Sequence, residues 1–145
     1  MPKILILNGP NLNLLGEREP GIYGAESLAD LTTKLTDRAK ALGLSCVYFQ
    51  SNHEGALIDE IQKHRHDTAG IIINPGAYTH TSIGLRDALS AYSGFKIEVH
   101  ISNIYAREDF RHHSMTAPVC HGQISGMGTE GYLLALQRMA SLVLS

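Results

Sequence analysis

The apolar residues of this chain switch repeatedly between two periods, short unbroken runs and helical spacing, and that alternation most narrows the folds open to it. Lys3 to Leu7 reads as a buried strand ending at Asn8-Gly9-Pro10. Leu28, Leu31, Leu35, Ala39 and Leu42 then recur at helical spacing behind Ser27-x-x-Asp30, an N-terminal capping pattern. Gly43 stops that helix, and Leu44 to Phe49 forms a second strand. Ser51-x-x-Glu54 opens a helix bearing Leu57, Ile58 and Ile61, and Ala69 to Ile73 is the third strand. Leu85, Ala88, Leu89 and Tyr92 mark a third helix, with Gly94 at its end. Phe95 to Ile101 and Val119 to Ile124 are the last strands, and a helix from about Thr129 to Leu144 closes the chain. Five strands alternating with helices predict an α/β fold: a parallel sheet with helices on both faces, for which the flavodoxin-like order 2-1-3-4-5 suits the length.

The 145 residues fit one domain, 43% hydrophobic and 18% charged, too apolar for a disordered chain. Ile71-Ile72-Ile73 is typical of the apolar runs, far short of the ~18 residues that cross a bilayer. Ile4 to Leu7 is too brief for the core of a secretory signal, which makes the cytoplasm the expected location. Twelve basic against fourteen acidic residues leave a net charge of −2 and no basic stripe for nucleic acid. Cys46 and Cys120 lack metal-ligand spacing and are expected to be buried free thiols.

In such a sheet, ligands bind beyond the carboxyl ends of the strands. Those ends carry Asn8 and Asn11, Asn74, and His100, Ser102 and Asn103, while Lys3 and Lys96 fall at the opposite rim. Glu98 and His100, two apart on a strand, share a face. A carboxylate there can fix the imidazole's tautomer and favour its charged form, or the two can form a structural ion pair. The connection from Pro10 to about Ala25 is long for a strand-to-helix loop, as lids and binding loops are, and it holds Arg18 and Tyr23.

Other signals are weaker. Gly126-Met127-Gly128-Thr129-Glu130-Gly131 fits a dinucleotide fingerprint, but the chain supplies no following strand and no ribose-binding acid. It reads as a tight turn with close helix–sheet packing, and Met127 and Met139 as packing residues. His64-Arg65-His66 at a helix end is expected to face solvent, and His112-His113 has no metal partners.

Six motifs resemble type II 3-dehydroquinate dehydratase. They are NGPNLNLLG (Asn8–Gly16), REPGIYG (Arg18–Gly24), NPGAYTHTS (Asn74–Ser82), EVHISN (Glu98–Asn103), REDFRHHS (Arg107–Ser114) and GMGTEGY before the last helix. The resemblance covers nearly the whole chain in order. It implies a flavodoxin-like fold and the dehydration of 3-dehydroquinate to 3-dehydroshikimate by anti elimination through an enolate. It also implies no metal or organic cofactor, and a homododecamer built from trimers. Residue by residue, it makes Tyr23 the base, Arg18 the residue that keeps Tyr23 ionised, His100 the general acid oriented by Glu98, and Asn11 the partner of the enolate oxygen. Asn74, His80, Asp87 and Arg111 fall at substrate-binding positions, the Asp87 position reaching a neighbouring subunit's site. Ile101 and Ser102 match the donors to the substrate carboxylate. A lid at about residues 17–25 goes with this assignment. Gly84 is peripheral to the pattern, standing where a better helix former is expected.

An unperturbed tyrosine is only about 0.1% phenolate at neutral pH. One guanidinium about 4 Å away at an effective dielectric of ~20 supplies on the order of 4 kcal/mol, enough to make it a working base. Arg107 is the other cation that could do this. A lysine Schiff base is the rival scheme, but the five lysines fall at the wrong strand ends or on helix surfaces. A flavin-binding module of the same fold is the alternative outside this reaction, though Asn8 to Asn13 is not a hydroxyl- and glycine-rich phosphate loop. A phospho-receiver would need acidic residues where Asn8 and Asn74 stand.

Overall fold

The computed structural model describes residues 1–145 and contains one five-stranded parallel sheet in the order 2-1-3-4-5. Its strands are β1 (Lys3–Asn8), β2 (Ser45–Gln50), β3 (Gly70–Asn74), β4 (Phe95–His100) and β5 (Gly122–Ser125). The helices are α1 (Pro20–Tyr23), α2 (Leu28–Leu42), α3 (Glu54–Lys63), α4 (Ile83–Ala91) and α5 (Glu130–Val143).

Alternation along the strands builds two cores. Ile4, Ile6, Ile72, Ile97 and Val99 pack with Leu31 and Leu35 of α2 and with Tyr132, Leu136 and Met139 of α5. Leu5, Leu7, Ile71 and Ile73 face the other way, onto Leu57 and Ile61 of α3 and Leu85 and Leu89 of α4. The central strands are therefore apolar at every position, as strands buried on both faces must be. Each fully buried aliphatic side chain contributes about 1.5–3 kcal/mol from burial alone. By the same alternation Lys96, Glu98 and His100 lie on the α3/α4 face, with His100 at the carboxyl edge.

Local chemistry explains most element ends. Ser27 and Asp30 form a reciprocal capping box on α2, and Gly43 ends that helix in the left-handed conformation (φ 83°). Ser82 caps α4 through the Leu85 N–H. Gly9 is required where two strand ends meet, because a Cβ there would stand 2.3 Å from the Pro75 carbonyl oxygen.

Several expectations need correction. Ser51 does not cap α3; its hydroxyl accepts from the His53 N–H, and His53 occupies the cap position without a side-chain bond. Val119 lies in a 3-10 turn (Ala117–Val119), and β5 starts only at Gly122. His64 is buried rather than solvated, held by Asp67 on Nδ1 (3.0 Å) and Glu60 on Nε2 (3.2 Å). Lys96 is also buried, its ammonium satisfying the Leu89 and Tyr92 carbonyls at the end of α4. Met127 is mostly exposed, whereas Met139 is fully buried. Both cysteines are free but only partly buried, and burial pushes the Cys120 thiol up to about 12. Gly131 does allow the close approach of α5 to the sheet, since a Cβ there would meet Val99 Cγ1 at 3.2 Å. No helix is long and apolar enough to cross a membrane.

Candidate active site

The loops leaving the carboxyl ends of β1, β3 and β4 enclose a cavity of about 150 Å³. Asn11, Arg18, Tyr23, Asn74, His80, His100, Ile101, Ser102 and Arg111 all line it, and Arg107 joins them. Glu98 sits beneath, fully buried. Asp87 is elsewhere, on the exposed face of α4, and does not line this chain's cavity. No cluster of three or more His, Cys, Asp or Glu side chains stands in metal-holding arrangement.

His100 Nε2–H donates to Glu98 Oε2 at 2.7 Å, which leaves Nδ1 as the ring nitrogen for other partners. Burial disfavours the Glu98 charge. The hydrogen bond and charge of His100, with bonds from Thr116 and Ser114, outweigh it and hold the carboxyl below its ordinary value. His80 hangs on the His113 carbonyl through Nδ1 (2.8 Å), so Nε2 is its free acceptor. Burial, then repulsion from His100 and Arg111, lowers its imidazole below the usual value despite that bond. Neutral His80 is thus the form expected near neutral pH.

Asn74 is fixed from both ends of its amide. Its Oδ1 accepts from the Gly76 N–H (3.1 Å), and its Nδ2 donates to the Tyr132 hydroxyl (2.9 Å). Tyr132 in turn donates to Asn8 Oδ1 (2.5 Å), so one buried phenol from α5 ties the ends of β1 and β3. Burial pushes the Tyr132 hydroxyl above its ordinary range, and it stays protonated. The backbone at Asn11 is left-handed (φ 70°), a conformation Asn tolerates, and its N–H donates to Asn52 Oδ1 (2.9 Å).

The segment between β1 and α2 is the exposed wall. Glu19 takes a left-handed conformation (φ 44°) and Pro20 opens the four-residue helix that carries Tyr23. Arg107 Nη1 donates to the Tyr23 hydroxyl at 2.7 Å. Arg18 lies over the Tyr23 ring instead, its guanidinium carbon 5.2 Å from the centroid. Of the two cations considered for the phenol, Arg107 bonds the oxygen and also approaches the ring (5.7 Å to its centroid), whereas Arg18 meets the ring face. Tyr132 and Asn52 were not visible in the sequence as site residues. Tyr132 acts through the side chains of Asn74 and Asn8 and Asn52 through the Asn11 backbone N–H, and neither carries a spacing signal that marks it.

The family model described as dehydroquinase class II matches residues 2–140. The 3-dehydroquinate dehydratase of Endomicrobium trichonymphae is 57% identical over 99% of this chain and 100% of its own length. That of Bacillus subtilis is 52% identical over 97% of this chain and 95% of its own length. The crystal structure of a type II dehydroquinase from Butyrivibrio crossotus superposes with a TM-score of 0.93 at 52% identity, covering 95% of this chain and 97% of that one. On matches that run nearly end to end in sequence and in backbone alike, this chain belongs to the class II dehydroquinase family.

Proposed function

We propose that this chain dehydrates 3-dehydroquinate to 3-dehydroshikimate in the shikimate route to aromatic compounds, by anti elimination through an enolate. The observation that carries the reading is the pairing inside one cavity of a phenol bonded to a guanidinium with an imidazole bonded to a buried carboxylate.

Elimination beside a ketone needs a base, an acid and a donor to the enolate. Tyr23 is the base: a guanidinium on its hydroxyl favours the phenolate that takes the proton from the carbon next to the ketone. Arg107 makes that bond and Arg18 adds positive charge over the ring. His100, oriented by Glu98, gives the Nδ1 proton of its doubly protonated ring to the hydroxyl leaving from the adjacent carbon and keeps Nε2–H on Glu98, and the products are water and the enone. Asn11, through water, meets the enolate oxygen. Asn74, with the amide orientation set by Tyr132, binds substrate together with neutral His80 and Arg111. The start of the loop after β4, Ile101 and Ser102, receives the substrate carboxylate. The segment at about residues 17–25 works as a lid, closing the base over bound substrate.

None of the five lysines lines the cavity, which favours this scheme over a Schiff base. The flavin-binding alternative is disfavoured by the family membership above. Assembly as a dodecamer of trimers fits the exposed α4 surface, where Ile83 and Asp87 stand one turn apart and Asp87 serves no site in its own chain. Sedimentation of the purified protein near twelve chain masses tests that part.

The function itself is tested by following enone absorbance after adding 3-dehydroquinate. Turnover is expected, and borohydride added with substrate should leave it intact. No enone, or irreversible labelling of a lysine, overturns the proposal.

A further inference from the structure

Five donors converge on the Glu98 carboxylate. His100 Nε2 (2.7 Å), Ser114 Oγ (2.9 Å), Thr79 Oγ1 (3.0 Å) and Gln123 Nε2 (3.2 Å) reach Oε2, and Thr116 Oγ1 donates to Oε1. Thr79 comes from the turn after β3, Ser114 and Thr116 from the segment before β5, and Gln123 from β5. Thr79, Ser114 and Thr116 are themselves buried. Their oxygens also stand within hydrogen-bond distance of one another, Thr79 at 2.6 Å from Ser114 and 2.9 Å from Thr116. His100 is the one basic side chain paired with the carboxylate.

The direction of these bonds is constrained. Ser114 Oγ accepts from the Ala117 N–H (3.0 Å) and the Thr116 N–H (3.3 Å), which occupies its lone pairs and turns its proton outward. The Gln123 amide nitrogen has only protons to offer. A ring of donors suits an acceptor-only carboxylate, whereas a protonated carboxyl would press its own proton against one of them.

We propose that Thr79, Ser114 and Thr116 are positioning residues for proton transfer: their hydroxyls keep Glu98 ionised and aimed, so that His100 keeps Nε2–H toward Glu98 and Nδ1 toward substrate. This rests on the reading of His100 as the acid. The other titratable and charged groups facing the pair are His80 and Arg111 on the cavity side, Cys120 ahead of β5, and Lys96 earlier on β4. None of these forms an ion pair or hydrogen bond with the Glu98 carboxylate. The neutral hydroxyls therefore do what a second cation would otherwise do. They do it without placing a fixed charge beside the imidazole, where it would oppose the ring's own protonation.

The test compares Thr116→Val, Ser114→Ala and the rescue variant Thr116→Ser. Turnover per folded molecule and KM come from the enone assay. The Glu98 carboxyl titration comes from carboxyl-13C glutamate NMR, assigned with Glu98→Gln, and the His100 tautomer from 15N ring shifts. A hydrogen bond to a charged group is commonly worth a factor of ten or more. Thr116→Val and Ser114→Ala should each lower kcat about tenfold with KM within about twofold. The Glu98 titration should move up by about one pH unit, with loss of a uniform Nε2–H tautomer. Thr116→Ser should restore all three. If Thr116→Val fails to fold, Ser114→Ala, which removes a single oxygen, decides the question. A folded variant with unaltered kcat and unaltered Glu98 titration overturns the proposal, as does a loss of stability alone. Separately, wild-type turnover in His100→Gln would overturn the role of His100 itself, whatever the hydroxyls do.

Discussion

The two halves of the site are built in opposite ways. His100 and Glu98 sit on a central strand, buried, with hydrogen bonds arriving from three further segments. Tyr23 sits on a four-residue helix between a left-handed Glu19 and a glycine at φ 84°, with Gly21, Ile22 and Gly24 open to solvent, and Arg18 lies in the loop just before that helix. One half is fixed before substrate arrives. The other is held by Arg107 and ring packing, so it can be displaced at little cost to the fold. A site that must admit a polar substrate and then exclude water benefits from one wall of each kind.

That contrast is exposed to experiment. Tyr23→Phe should lower turnover about 10³-fold or more, since a positioned base commonly contributes ~10²–10⁴. Its urea midpoint should match wild type, and a large stability loss would break the distinction between the halves. Glu98→Gln should do both kinds of damage. It places an NH₂ among donors, so turnover should fall on the order of 10²-fold. Urea unfolding should show a loss of about 2–4 kcal/mol.

Arginine substitutions sharpen the picture of the movable half. Arg107→Ala, which strips the phenol oxygen of its donor, should cost on the order of 30-fold in kcat, more than Arg18→Ala. A larger loss from Arg18→Ala would place the decisive cation over the ring instead. Lysine at position 107 should recover only part of the rate, because it lacks the planar fork.

The smallest effect concerns acid. The Glu98 carboxyl is depressed in the folded protein, so ionised Glu98 adds stability above the unfolded carboxyl value near ~4.3. That stability is lost as pH falls through the lower folded value. Urea midpoints measured from pH 6 to pH 3 should therefore fall less steeply in Glu98→Gln than in wild type. Tyr23→Phe should follow the wild-type curve.

What was legible followed from periodicity. Buried strands with intervening amphipathic helices specify a doubly covered parallel sheet, and a two-residue spacing on β4 brings Glu98 under His100. Thr79 and Thr116 were not legible, because a threonine beside a turn looks solvated until other segments of the chain fold over it. His64 misled for the same reason: two carboxylates and the packing of its helix end turned an apparent surface residue inward. Tyr132 sits on the core stripe of α5, and only its hydroxyl, between Asn8 and Asn74, makes it part of the site.

The sequence by itself determined the sheet, its covering helices and the family, since these follow from local periodicity and ordered motifs. Tertiary structure alone decided which arginine meets the Tyr23 oxygen and which hydroxyls surround Glu98. Hydrogen bonds act over about 3 Å, and groups 84 or 18 positions apart reach that range only after the chain has closed.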